Sequence, residues 1–213
     1  MYYAKWVVVN APVVVVSWIA GLWMFDGSLK CTMWGLVGII AASLWYYWVH
    51  RAMHSMHQSN RFVNYVSWFH RANHHGEETV LPARVRSWRI MRFVLAILEY
   101  AYEIVVIGGA LIALLPFIPK PMRVTSVMFA LETVIMHHAN CHNSRVCSLF
   151  HSAHHKDASS NFMPDFWDNM FGTLAEGPNH LCVIDSNYIW WIIAVVAIAL
   201  KLGARRLNIN LCR

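Results

Sequence analysis

The stretch CTMWGLVGIIAASLWYYWVHRAMH, residues 31–54, joins an uncharged apolar run to a pair of histidines. The run from Cys31 to Val49 is long enough to cross a hydrocarbon core of about 30 Å at about 1.5 Å per residue. His50 and His54 follow four residues apart, a spacing that places two side chains on one face of a helix. The stretch therefore predicts a membrane-spanning helix with two imidazoles near its end.

An earlier apolar run, Trp6 to Phe25, is separated from that helix by a short polar turn containing Asp26 and Lys30. It is longer than the apolar part of a typical signal peptide, and no small-x-small cleavage site clearly follows it. We therefore expect a retained span that forms a first hairpin with residues 31–49.

A second hairpin is expected from about Phe93 to Ile118 and back from about Val124 to Met136. Proline, which blocks helix continuation, breaks it at Pro116, Pro119 and Pro121. A last apolar run, Tyr188 to Leu200, is short for a full span and is compatible with an interfacial, re-entrant or tilted helix. The sequence leaves its topology open.

The composition fits a membrane protein. Of 213 residues, 58% are hydrophobic and only 13% charged, and the mean hydropathy is +0.41, which is too apolar for an ordinary soluble domain. No linker or low-complexity tract divides the chain. We predict one membrane-embedded domain over 1–213: an all-α polytopic protein with about four transmembrane helices in two hairpins and a helical histidine region at the cytosolic face.

Ten of the thirteen histidines fall into four clusters at helical ligand spacing. A single HxxxH pair is weak evidence for a metal site, but four such clusters in one short chain are not. The remaining three histidines, His57, His137 and His180, are expected to make ordinary hydrogen bonds. For His57 an alternative stays open, because its spacing of three residues from His54 also allows it to share a face with the site. The predicted metal ligands are His50 and His54; His70, His74 and His75; His138 and His142; and His151, His154 and His155.

Ten imidazoles are too many for one ion, because a first-row metal takes roughly four to six ligands. Two ions sharing the site is the natural count. Nitrogen donors favour iron or zinc over calcium or magnesium. The donor set alone does not choose between iron and zinc.

Both hairpins return the chain to the same membrane face, so all four histidine clusters are expected to meet there. The loop between the hairpins is rich in arginine, which by the positive-inside rule places that face in the cytosol. The basic residues near the C-terminus, Lys201, Arg205, Arg206 and Arg213, oppose this orientation only if the last run spans. The loop arginines are Arg51, Arg61, Arg71, Arg84, Arg86, Arg89 and Arg92.

The net charge is +6. The arginines of the loop lie among aromatic residues and next to apolar spans, a pattern that suits lipid headgroups rather than nucleic acid. The five cysteines are odd in number and have no CxxC spacing, so we expect no disulfide framework. That expectation agrees with a reducing, cytosolic face.

The order HxxxH, HxxxHH, HxxxH, HxxHH, followed by Asn161 and PDFWDNMFGTL (164–174), resembles the fatty acid hydroxylase and sterol desaturase superfamily of membrane di-iron enzymes. The resemblance covers Trp45 to Leu174, the histidine-box region. One departure is the gap of three residues between His70 and His74, where two is commoner, which leaves the direct ligands in that cluster open. The tail motif is matched by Asn161, Phe162, Trp167, Asp168, Phe171, Gly172 and Thr173, and the His138-Ala139-Asn140 triplet also resembles a family element.

The resemblance implies two iron ions, or zinc in purified protein, and no haem. With O2 and external electrons, such enzymes hydroxylate or desaturate an unactivated C–H bond of a lipid. No cytochrome b5 domain is fused to this chain, so we expect a separate electron donor, cytochrome b5-like or ferredoxin-like with a reductase. The expected membrane is the endoplasmic reticulum in a eukaryote or the inner membrane in a bacterium.

The expected substrate is an apolar lipid: a sterol, an ether lipid, a fatty acyl or sphingoid chain, or a carotenoid. The stretch from His74 to Trp88 resembles the sterol desaturase and alkylglycerol monooxygenase branches, which favours a sterol-type or ether-type lipid over a carotenoid. Two other classes remain open, a membrane metal transporter or store and a haem-binding helical bundle.

Several polar residues are candidates to hold the ligands in the correct tautomer from outside. Asp168 has a second interpretation, because an Asp in a WDxxFGT turn also caps the backbone. Glu132 would be costly in lipid unless it faces the bundle interior. Glu99 and Glu103 lie four residues apart, and two explanations fit them equally well: support of the metal ligands, or simple contact with a polar neighbour. The outer candidates are Asn140, Asn161, Asp165, Asp168 and Glu132.

Overall fold

The structure is a computed structural model, which describes five long stretches of the chain and some of the residues between the first two. All the regular structure in these residues is helical, with no strand. The described residues are 2–54, 61, 64, 67–68, 70–71, 75, 88–91, 93–95, 97–98, 101–102, 105, 115–136, 152–162, 165–175 and 187–212.

Two antiparallel helices form the predicted first hairpin. Helix α1 spans Tyr2–Met24 and α2 spans Leu29–His54. The turn between them places Asp26 and Gly27 in the left-handed region, at φ of 52° and 79°, and the Gly27 N–H donates to the Leu22 carbonyl at 2.7 Å. Among the described helices, α2 alone is long and apolar enough to cross a membrane.

Helix α3 spans Lys120–Met136 and packs along α2. Close approach is possible because α2 presents glycines: Thr125 Oγ1 donates to the Gly35 carbonyl at 2.6 Å and Ser126 Oγ to the Gly38 carbonyl at 3.1 Å. Further along, Tyr46 clusters with Ala130. The contacts advance together along both helices, so α2 and α3 run in the same direction.

A 3-10 turn at Leu115–Phe117 precedes α3 and lies within the predicted proline break. Helix α3 begins at Lys120, one residue before Pro121, whose missing N–H is tolerated in a first turn. The helix therefore begins four residues earlier than the apolar run alone predicts. The rest of the predicted hairpin, towards Phe93, lies only partly in the described residues.

The last apolar run lies within a single helix. It spans Asn187–Arg206, 20 residues, and packs against α1. Near its end, Lys201 hydrogen-bonds to the Trp23 carbonyl and to Asp26 Oδ1. This helix follows the direction of α1 and ends beside the α1–α2 turn. We call this end of the molecule the turn end, and the end that carries His50 and His54 the histidine end.

A disulfide joins Cys31 to Cys212 at the turn end, with Cα atoms 5.7 Å apart. The expectation of no disulfide was therefore wrong. The two cysteines are 181 residues apart, and their proximity depends on the course of the last helix. Neither their number nor their spacing in sequence carries that information.

Candidate metal centre

The centre is built first from the end of α2. His50 and His54 lie one turn apart on the buried side of the helix, and both are buried. His70 and His154 are also buried, His154 completely. Five imidazoles converge here, with one nitrogen of each lying within 4.8 Å of the others. They belong to His50, His54, His70, His75 and His154.

Three of these rings meet nitrogen to nitrogen. His54 Nε2 lies 3.1 Å from His70 Nε2 and 3.1 Å from His154 Nε2. Two nitrogens bound to one ion at about 2.0–2.1 Å are about 2.9–3.4 Å apart at octahedral to tetrahedral angles. One imidazole nitrogen carries at most one proton and cannot donate to two neighbours. A shared cation satisfies all three, so the donor set fits a metal.

Two rings are held in the ligand tautomer by backbone carbonyls. His50 Nδ1 donates to the Phe162 carbonyl at 2.6 Å, and His154 Nδ1 donates to the Ser160 carbonyl at 2.6 Å. In a neutral imidazole this leaves the Nε2 lone pair available to a metal. Burial lowers the pKa of His154 below its usual range, which favours that neutral form.

The segment that supplies both carbonyls has an unusual backbone. Asn161, between Ser160 and Phe162, takes a left-handed φ of 55°, a conformation that asparagine tolerates. Its N–H donates to the Thr173 carbonyl at 2.8 Å, and its side-chain Oδ1 accepts from the Ala175 N–H at 2.8 Å. Asn161 thus fixes the backbone segment that carries the two carbonyls, by tying it to Thr173 and Ala175.

Helix α4, Asp165–Met170, holds this segment through a hydrogen bond from the Phe162 backbone. Asp168 is completely buried, and its Oδ1 accepts from the Phe162 N–H at 2.8 Å and from Thr173 Oγ1 at 2.7 Å. Trp167 Nε1 donates to Ser43 Oγ on α2 at 3.0 Å. Asp165, also buried, lies at the helix start, where a carboxylate is favourable.

The structure brings together part of the predicted site. Five predicted ligands converge. The ring of a sixth, His155, lies beside that of His75, with ring centroids 4.3 Å apart. The second cluster contributes His70 and His75. The predicted ligands His74, His138, His142 and His151, the residue Asn140 and the side chain of Glu132 lie outside what the structure describes.

Two groups that contact the ligands were not predicted from the sequence. They are the backbone carbonyls of Ser160 and Phe162, which accept hydrogens from His154 and His50, whereas the sequence pointed only to polar side chains as outer partners. Every residue has a carbonyl, so no residue pattern marks these two. The nearest signal was Asn161, a residue type suited to left-handed backbone.

Comparison with known families gives the class. The model of the fatty acid hydroxylase family matches residues 35–173, about two thirds of the chain. The chain belongs to this family, which is part of the fatty acid hydroxylase and sterol desaturase superfamily. Comparisons with curated proteins and with solved structures give no match.

Proposed function

We propose that this protein is a membrane-bound, non-haem di-iron oxygenase that hydroxylates or desaturates an unactivated C–H position of a lipid. The observation that carries the proposal is the convergence of five imidazoles at the end of an apolar helix, in a chain of the fatty acid hydroxylase family. A haem would use two axial histidines and leave the other rings unexplained.

Two iron ions are the proposed cofactor, with zinc as an occupant of purified protein. The five described imidazoles suffice for one ion, and the other predicted ligands, His74, His138, His142, His151 and His155, are proposed to complete a second. Bound iron would supply the oxidising power for C–H cleavage from O2 and external electrons.

The chain's own residues orient the ligands and exclude water. Ser160 and Phe162 fix two imidazoles through their carbonyls. The buried Phe162 ring lies against three histidine rings, 5.9 Å from His50, 5.9 Å from His54 and 5.6 Å from His154 between centroids. An apolar ring in this place keeps solvent from one side of the site.

The proposed substrate is a lipid that enters from the bilayer. Residues along α2 expose apolar side chains, including Met33, Val37 and Ile40, which suits contact with acyl chains. The resemblance of residues 74–88 favours a sterol-type or ether-type lipid, with a fatty acyl or sphingoid chain next and a carotenoid as the alternative. Electrons are proposed to come from a separate cytochrome b5-like or ferredoxin-like protein.

We place the histidine end in the cytosol, with α1, α2, a third run at about 93–118 and α3 as the four spans. The last helix ends beside the α1–α2 turn, so we add it as a fifth span. Its basic end then opposes the positive-inside rule. The Cys31–Cys212 disulfide at the turn end supports the proposed orientation, because disulfides persist in oxidising compartments.

A C-terminal fusion tests this orientation. Alkaline phosphatase folds only where its own disulfides form, so its fusion to the C-terminus in a bacterial host is expected to be active. A fluorescent protein that matures only in the cytosol, fused at the same position, is expected to be dark. The reverse pair of results would contradict the proposed orientation.

Lipid analysis tests the activity. The chain is expressed in a host membrane supplied with iron, a reductase system and sterols and ether lipids, and extracted lipids are compared by mass spectrometry with those from a His154→Ala control. A species heavier by one oxygen or lighter by two hydrogens, absent from the control, supports the proposal and names the lipid class. No such species from metal-loaded protein with any of these lipid classes would favour metal storage or transport.

A further inference from the structure

A chain of hydrogen bonds leaves α2 at Tyr47 and returns to it at His50. Tyr47 Oη lies 2.9 Å from Thr173 Oγ1, and Thr173 Oγ1 lies 2.7 Å from Asp168 Oδ1. The Phe162 N–H reaches the same carboxylate oxygen, and the Phe162 carbonyl accepts from His50. The two ends of the chain are three residues apart on one helix, so the contacts close a ring.

The direction of each hydrogen bond in the ring is determined. An ionised carboxylate only accepts, so the Thr173 hydroxyl donates to Asp168. That hydroxyl has no second proton, so it accepts from Tyr47. The Tyr47 oxygen in turn accepts from Arg51 Nη1 at 3.0 Å. With Thr173 as the donor to Asp168, Tyr47 is the donor to Thr173 and the acceptor from Arg51.

The members of the ring are held firmly. Tyr47 is completely buried, as is Asp168, and the Tyr47 ring stacks on Phe171 with centroids 5.1 Å apart. The Phe162 N–H and carbonyl belong to different peptide units, so Asp168 acts on His50 by fixing the backbone of Phe162 rather than by polarising the accepting carbonyl. The ring of hydrogen bonds therefore acts on His50 by fixing the position of its imidazole.

We propose that Tyr47 and Thr173 are positioning residues for the metal centre, which fix the direction of the His50 imidazole through Asp168 and Phe162. The proposal deepens the proposed function, since it requires that His50 binds metal. Neither hydroxyl hydrogen-bonds to an imidazole of the described residues. Both are expected to raise metal affinity by keeping the His50 lone pair aimed at the site before the ion arrives.

Cobalt binding tests the proposal without any catalytic assay. Purified full-length protein in detergent is stripped of metal and titrated with Co²⁺, whose visible absorption reports coordination. We expect Tyr47→Phe, which keeps the stacked ring, and Thr173→Val, which keeps the shape, each to weaken affinity by about 10- to 100-fold and to change the absorption bands. Thr173→Ser, which keeps the hydroxyl, is expected to restore both.

Thr125→Val is the matched control. It removes another buried threonine hydroxyl, one that bonds the Gly35 carbonyl between α2 and α3, and is expected to lower thermal stability without changing Co²⁺ affinity. Affinities of Tyr47→Phe and Thr173→Val within about twofold of the unchanged chain would overturn the proposal, as would failure of Thr173→Ser to restore binding. Failure of the unchanged chain to bind Co²⁺ would instead reject the metal site itself.

Discussion

The histidine end and the turn end bury polar groups in opposite ways. At the histidine end, His54 Nε2 faces two other imidazole nitrogens at 3.1 Å, an arrangement that protons alone do not satisfy. At the turn end, Lys201 is equally buried, but its amine bonds Asp26 Oδ1 at 2.7 Å and the Trp23 carbonyl. Its cation also lies 4.4 Å from the centre of the Trp23 ring.

This contrast separates a binding site from a structural anchor. Buried polar groups normally find partners within the protein, and the turn end follows that rule and adds a disulfide. The histidine end holds three imidazole nitrogens close together, with 3.1 Å from His54 to each of the other two, an arrangement that a shared cation stabilises. Substitutions at the histidine end should therefore change metal binding, and those at the turn end should change stability.

The largest effect is expected from removal of a ligand. His54→Ala should reduce metal content and abolish activity, because His54 contacts two other ligand rings and its loss opens the coordination shell. We expect the same of His74, His142 and His154. Metal analysis and product assay measure the effect, with His180→Ala as the control that retains both. Full metal and turnover in several cluster variants would show the site assignment to be wrong.

Removal of the disulfide should have a large effect on stability and none on metal binding. Cys212→Ser is expected to lower stability by about 2–4 kcal/mol, because the bridge closes a long loop of the unfolded chain, while metal content stays unchanged. Thermal unfolding in detergent under non-reducing conditions measures it. Cys182→Ser removes a cysteine outside the bridge and serves as the control. A loss of metal in Cys212→Ser would contradict the assignment of metal binding to the histidine end and of stability to the turn end.

Between the ends, the packing of α2 on α3 gives a third prediction. A Cβ at Gly38 would lie 2.5 Å from the Met122 carbonyl oxygen, so Gly38→Ala should force the helices apart and destabilise by about 1–3 kcal/mol. Gly203→Ala is the matched control, because nothing lies within 4 Å of its Cβ position. Denaturation midpoints measure both. Equal midpoints for the two variants would contradict the close packing.

The smallest effect is expected at Asp26. Its hydrogen bond and charge contact with Lys201 hold the pKa of this exposed carboxyl below its usual range. A lowered pKa contributes stability that is present above the ordinary carboxyl pKa and is lost as the pH falls through about 4 and below. Asp26→Asn should therefore lower the melting temperature slightly at pH 7 and by less at pH 3. A larger deficit at pH 3 would contradict this assignment.

Much of the fold was readable from local patterns. The apolar run at 31–49 and the histidines after it became α2, and the run from Trp6 became α1. Hydropathy persists over a whole helix and is read without knowing its neighbours. The family was readable too, from the histidine order and the tail motif. The last helix was recognised as an apolar run, but its length and direction were not.

The sequence by itself determined which elements are helices and which residue type serves the site, because helical period and imidazole chemistry are properties of short segments. Only the tertiary structure decided that carbonyls of Ser160 and Phe162 orient His154 and His50, and that Cys212 reaches Cys31. The contacts of Phe162 with His50 and of Cys212 with Cys31 depend on how distant segments approach one another, whereas the contact of Ser160 with His154 depends on the path of a short loop. A backbone carbonyl has no residue identity, and a separation of 181 residues leaves no local signal, so only the tertiary structure establishes these contacts.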